Sequence, residues 1–224
     1  MVLAALDVEA LRQGALWMIL LVAAISLHEF GHAWMADRRG DLLPRAQGRV
    51  TLDPTAHIDP IGTLLIPGLM IFWPAFTGSG APVALIGWGK PVQVSLADPR
   101  TRKMDDILIT LAGPAMNLLL CLAFTVGLAL TGPPGSTGDG RFMLNGLMLN
   151  AGLMVFNLLP IPPLDGGRVL RWVVGMTEET FRTVATYAPW VLLFLINTRF
   201  FNELLDNLIG VVMVPCLHLA ALGW

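Results

Sequence analysis

The chain is 224 residues long, 55% hydrophobic and only 13% charged, with a mean hydropathy of +0.68 and a net charge of −2. A soluble domain carries about a quarter charged residues, so this composition excludes an ordinary water-soluble enzyme. It reads as one membrane-embedded unit over residues 1–224, with the lipid bilayer as its first partner and no basic, aromatic-laced cluster of the kind that binds nucleic acid.

The predicted elements are those of an all-α multi-pass membrane protein with about five to six transmembrane helices. Asp7 and Glu9 stand where a cleaved signal peptide is basic, so the first helix is expected to be retained. Ala15–Ala36 is long enough to span, and Arg38, Arg39, Arg45 and Arg49 follow it. The positive-inside bias then sets the N-terminus outside and residues 37–59 in the cytoplasm. Ile61–Phe76 is apolar but short, and Pro67, Gly68 and Pro74 break it. Lys90, Arg100, Arg102 and Lys103 form the next basic cluster, so residues 57–90 are expected to leave and return on one side as a re-entrant segment. Ile107–Leu130 is a second span. The turn-rich residues 131–141 lie outside, and Phe142–Leu164 returns to the cytoplasmic side. The tail, 184–224, reads as a helical hairpin of Val184–Ile196 and Leu208–Trp224 separated by "NTRFFNELLDN". Cys121 and Cys216 fall in apolar runs and read as buried free thiols.

The first span contains His28-Glu29-Phe30-Gly31-His32, the H-E-x-x-H pattern. On a helix, positions i and i+4 share a face, so both imidazoles can bind one ion. Glu29 sits beside the ion rather than on it, where it can take a proton from a metal-bound water whose pKa zinc lowers to about 7. Coordination also answers the cost of placing these side chains in hydrocarbon. A catalytic zinc takes a third protein ligand. His57, Asp53 and Asp59 fall in the cytoplasmic loop, whereas Asp165 closes a span that returns to the same side and is matched in depth to the histidines. Pro160, Pro162 and Pro163 unwind the chain before it, and Gly166-Gly167 permit close approach after it.

These residues carry a resemblance. "HEFGH", "LAGPAMNLLL" (Leu111–Leu120) and "NLLPIPPLDGG" (Asn157–Gly167) are similar, in order and spacing, to the site-2 protease family of intramembrane zinc metalloproteases. "HIDPIGTLLIP" and "GWGKPVQV" resemble its compact prokaryotic branch, which has no PDZ or CBS domain. The resemblance implies a catalytic core over about residues 15–170, one zinc per chain on His28, His32 and Asp165, and Glu29 as general base. It implies hydrolysis of transmembrane protein substrates near the cytoplasmic side. Asn157 matches a family asparagine near the scissile bond, where it either binds substrate or makes an interhelical hydrogen bond. Residues 87–94 resemble a membrane-associated β-segment to which a substrate strand can add, or form a plain loop. Gly113, Pro114 and Asn117 read as close-packing residues that the chemistry does not require at the metal, and His57 as a loop histidine or a polar contributor near zinc. Two other classes fit less of the pattern. A zinc carrier does not need Glu29, and an enzyme acting on lipid or prenylated peptides needs a wide chamber.

Overall fold

A computed structural model describes residues 8–77, 87–96, 98–133 and 138–223, and within them the chain is helical with no strand. Helix α1 (Val8–Arg38) is followed by the short α2 (Leu43–Ala46), a 3-10 turn (Pro54–Ala56), a single π-helical stretch (Pro60–Leu65) and α3 (Ile66–Thr77). After the extended residues 87–96 come α4 (Arg102–Thr131), α5 (Gly138–Asn157), α6 (Asp165–Val173), α7 (Glu178–Leu195) and α8 (Arg199–Ala221). Three of these, α1, α4 and α8, are long and apolar enough to cross a membrane.

The α1 helix buries Leu20, Leu21, Ala24, Ile25, His28, Gly31, His32 and Ala36. That three-and-four spacing is one helical face, so the two histidines lie on the same stripe that packs against α4. The helix ends where Gly40 takes a positive φ of 88° and Asp41 N–H returns to the Ala36 carbonyl, a glycine stop. Helix α5 packs along α4, and α8 lies across both through Cys121, Leu147, Ala151 and Cys216. Both cysteines are buried and free. Outward faces remain apolar, with Leu118, Leu119, Leu122, Val126 and Leu130 exposed on α4 and Tyr187, Trp190 and Phe194 on α7. A patch of that size in water marks an interface or an aggregation liability, whereas in a bilayer it is solvated.

Several boundaries differ from the sequence expectation. The returning span expected over Phe142–Leu164 ends at Asn157, because three prolines in the next six residues cannot supply helical N–H donors. Arg199–Asn207, expected as a separator, opens α8 instead. There the Thr198 hydroxyl accepts from Phe201 N–H, and Arg199 pairs with Glu203 one turn on at 2.7 Å. Most of the apolar stretch Pro82–Trp88 and the tip of the 131–141 linker lie outside the described residues. Residues 87–96 are extended but form no strand ladder: Trp88 N–H donates to Gly62 of the π-helical stretch and Lys90 N–H to His57 in the loop before it.

Candidate metal centre

The α1 stripe brings His28 and His32 together, with their Nε2 atoms 3.1 Å apart. Asp165, the first residue of α6, reaches them from the other end of the chain, its Oδ2 lying 3.3 Å from His28 Nε2 and 3.4 Å from His32 Nε2. A tetrahedral ion with bonds of about 2.0–2.1 Å sets its ligand atoms about 3.3 Å from one another. The three separations match that triangle. Oδ2 of Asp165 is buried without a hydrogen-bond partner, and a buried oxygen of that kind costs free energy unless something else satisfies it. Two imidazoles and one carboxylate are also the donor set of a catalytic zinc site with an open fourth position. The residues fit the ion.

The far side of each imidazole is held. His32 Nδ1 lies 2.8 Å from the Ile109 carbonyl of α4. Pro114 lacks an N–H and crowds the turn preceding it, beside the carbonyl that His32 uses. His28 Nδ1 lies 2.6 Å from Oδ1 of Asn117, also on α4. Asn117, expected only as a packing residue, therefore touches a histidine of the metal cluster directly. The sequence does carry a signal for it: an amide within "NLLLCLAF" needs a partner in hydrocarbon. Gly113 is likewise at the site, since a β-carbon there would lie 2.3 Å from His32 Nε2.

Asp165 is presented by an unwound stretch and two glycines. A β-carbon on Gly166 would lie 2.1 Å from the Leu158 carbonyl oxygen, and one on Gly167 2.4 Å from Pro162 N. Only glycine lets α6 begin this close to residues 158–162. Asn157, at the end of α5, donates Nδ2 to the Leu153 carbonyl of its own helix at 2.9 Å.

Glu29 is partly buried and faces two further segments. Its Oε2 lies 3.8 Å from Nη2 of Arg49, which is buried in the loop after α1. The Arg49 guanidinium donates to the carbonyls of Ala56 and Lys90, so it ties the loop to the extended segment. Burial pulls the Arg49 pKa down, against the opposing field of Glu29. Trp88 N–H donates to the Gly62 carbonyl at 3.0 Å and Lys90 N–H to the His57 carbonyl at 2.8 Å. Successive residues of an extended chain turn to opposite sides, which leaves Gly89 facing α1. A β-carbon on Gly89 would lie 2.9 Å from Glu29 Cγ and 3.0 Å from its Oε1.

The other loop acids serve the backbone. Asp53 accepts from Thr55 N–H, and Asp59 accepts from Ile61 and Gly62 N–H. Both are turn caps rather than members of the metal cluster. His57 is fully buried and contacts the Thr51 carbonyl through Nε2 at 2.9 Å. Burial pushes its pKa down and favours the neutral ring.

Comparison with known proteins adds an independent line. The chain is 35% identical over 163 residues to "Putative zinc metalloprotease YwhC" of Bacillus subtilis, across 70% of this chain and 68% of that protein. It is 35% identical over 177 residues to "Putative zinc metalloprotease Rip2" of Mycobacterium tuberculosis, across 78% of this chain and 62% of Rip2, so it spans less than two thirds of the latter. A stretch of 66 residues is 46% identical to "Putative zinc metalloprotease MJ0611" of Methanocaldococcus jannaschii, covering 29% of this chain and 32% of that one. The family model of peptidase family M50 matches residues 137–196, the part that carries Asp165. No solved structure matches the chain. With a metal-suited triad on its α1 and α6 helices and a relative matched over two thirds of both lengths, the chain belongs to peptidase family M50, the site-2 protease family of zinc metalloendopeptidases.

Proposed function

We propose that this protein is an intramembrane endopeptidase that cuts transmembrane proteins near the cytoplasmic face. In this reading His28, His32 and Asp165 hold one zinc per chain, and Glu29 is the general base. The observation that carries it is the convergence of three donor atoms from α1 and α6 on one point, with Glu29 as the adjacent residue. A zinc held only for storage or transport has no use for that glutamate.

Bound zinc supplies activation of water and polarisation of the scissile carbonyl. The chain's own residues do the rest. Glu29 takes one proton from the attacking water as the new C–O bond forms, then gives it to the amide nitrogen as the C–N bond breaks. The second proton of the water passes from the new carboxyl group to the amine, so a carboxylate and an ammonium leave and Glu29 is regenerated. Asn157 is the proposed hydrogen-bond donor to the substrate, since its present bond to Leu153 lies within its own helix and is readily exchanged. An extended substrate segment is proposed to lie along the Gly89 side of residues 87–94, beside Glu29. Helices α5 and α7, of 20 and 18 residues, are read as further spans beside the three apolar ones, and α3, of 12 residues, as a re-entrant piece.

The test is Glu29→Gln, compared with the natural chain on a panel of tagged single-span proteins in the same membranes. The variant keeps size and polarity but cannot accept the proton, so zinc content stays at one per chain while cleavage falls by about 10²–10⁴-fold. Cleavage at the wild-type rate would remove Glu29 from the role of base.

A further inference from the structure

Helix α5 carries Asn150, two turns before the helix end and outside the metal cluster. It is 1% exposed, and its amide is bonded at both ends. Nδ2 donates to the Gly146 carbonyl at 2.8 Å, and Oδ1 accepts from Asn117 Nδ2 at 3.0 Å. Asn117 is 0% exposed and turns its own Oδ1 to His28 Nδ1 at 2.6 Å. The four groups form one line across three helices: the Gly146 carbonyl, Asn150, Asn117 and His28.

The direction of that line follows from the carbonyls along it, Gly146 at its far end and Ala24, which lies 3.5 Å from Asn117 Nδ2. A backbone carbonyl accepts and cannot donate. The group that Asn150 presents to Gly146 must therefore be its NH2, which turns its oxygen toward Asn117. Asn117 must answer that oxygen with its own NH2, which turns its oxygen toward His28. Facing an acceptor, His28 Nδ1 must carry the proton, and the lone pair of the neutral ring is then on Nε2. Nε2 is the atom that points at His32 and Asp165. Reversing any amide would set two donors or two acceptors face to face in a site without solvent, and the misfit would pass along the line. His32 gains the same result in one step, because the Ile109 carbonyl is its direct partner.

We infer that Asn150, acting through Asn117, is a positioning residue for the metal. The pair sets the tautomer and ring orientation of His28 and so tunes zinc affinity from a helix that contributes no ligand. The inference rests on the zinc reading of His28, His32 and Asp165, and it adds a dependence that none of those ligands requires. Because the line is serial, the contribution of Asn150 must vanish once Asn117 is gone.

The experiment measures zinc affinity of the purified full chain by competition with a chromophoric chelator, alongside the thermal midpoint of the metal-free protein. Replacing an outer partner of a metal-bound histidine lowers affinity by about 10–100-fold. Asn117→Leu should fall in that range, and Asn150→Leu, one bond further from the ring, should lower affinity by about tenfold, the lower end of it, with Asn150→Ala as a second removal should the leucine variant not fold. Asn150→Asp, which as a neutral carboxylic acid donates its O–H to the Gly146 carbonyl and keeps an acceptor for Asn117, should bind zinc within about threefold of the natural chain, a smaller effect than any removal. In an Asn117→Leu background, Asn150→Leu should change affinity no further. Unchanged affinity in the folded Asn150 removals would overturn the inference, as would an equal loss with and without Asn117. A fall in affinity matched by a fall in the metal-free midpoint, with no rescue by Asn150→Asp, would also reject it in favour of a packing role. His28→Ala is the separate control: full zinc binding in that variant would reject the ligand assignment itself.

Discussion

A β-carbon at position 113 would lie 2.3 Å from Nε2 and 2.5 Å from Cε1 of His32, and 2.8 Å from Cε1 of His28. These are ring atoms fixed from behind by Ile109 and Asn117, not the ends of flexible chains. Gly113→Ala must therefore displace an imidazole or part α1 from α4, and overpacking of this kind costs about 1–3 kcal/mol. The expected outcome is a folded protein with clearly less than one zinc per chain by mass spectrometry of the metal. A full complement in the alanine variant would mean that the helices yield and the rings do not. Ligand chemistry makes His28, Glu29 and His32 legible in the sequence, because a metal dictates both residue type and helical spacing. Asp165 is legible from membrane depth and its proline–glycine setting. Gly113, Asn117 and Asn150 are not, because which residue meets the back of an imidazole depends on how α1 crosses α4 and α5. Buried amides in an apolar run signal that a partner exists without saying which.

At the scale of elements, α6 is the weakest piece with the heaviest duty. Nine residues that begin Asp165-Gly166-Gly167 have little intrinsic reason to be helical, since isolated short helices are marginal and glycine opposes them. For that reason hydropathy alone ends the span at Leu164 and predicts only a charged stretch beyond. Tertiary contacts supply what propensity lacks. The buried carboxylate of Asp106, in the first turns of α4, accepts from Arg168 Nη2 at 2.9 Å and from Trp172 Nε1 at 2.6 Å. Those residues lie one and two turns beyond Asp165, so this clamp orients the helix that presents the proposed carboxylate ligand. Asp106→Ala removes both bonds. Arg168 is about a third exposed and water can replace part of its loss, so a destabilisation of about 1–3 kcal/mol is expected. Zinc affinity should fall with it, although no ligand has been touched. Chelator competition and thermal unfolding of the same preparation check both halves. A variant that loses stability but holds zinc as tightly as the natural chain would show that the two glycines alone suffice to seat α6.

At the scale of the whole molecule, the basic residues and the site share one end. The end of α1 is tied to the start of α4 by Arg39 Nε and Asp105 Oδ1 at 2.6 Å, so Arg38, Arg39, Arg45, Arg100, Arg102 and Lys103 gather where those two helices meet. Asp165 follows the C-terminal end of α5 and joins His28 and His32 from that direction. His28 lies ten residues before Arg38, about 15 Å along the axis at 1.5 Å per residue. The triad is therefore expected in the half of the bilayer next to the basic end. Arginine and lysine are retained on the cytoplasmic side when a chain inserts, so this end, and with it the cleavage site, is expected to face the cytoplasm. Single cysteines offer the check. Leu52→Cys, 65% exposed in the loop after α1, should react with a membrane-impermeant maleimide only when the cytoplasmic side is open to the reagent. Asp139→Cys, exposed at the start of α5, should react from the opposite side alone. The native Cys121 and Cys216 are buried and give little background. The reverse labelling pattern would invert the orientation and move the proposed cleavage to the outer half of the bilayer. It would leave every distance within the triad as it stands, because those are fixed by helix packing and not by which compartment the basic end meets.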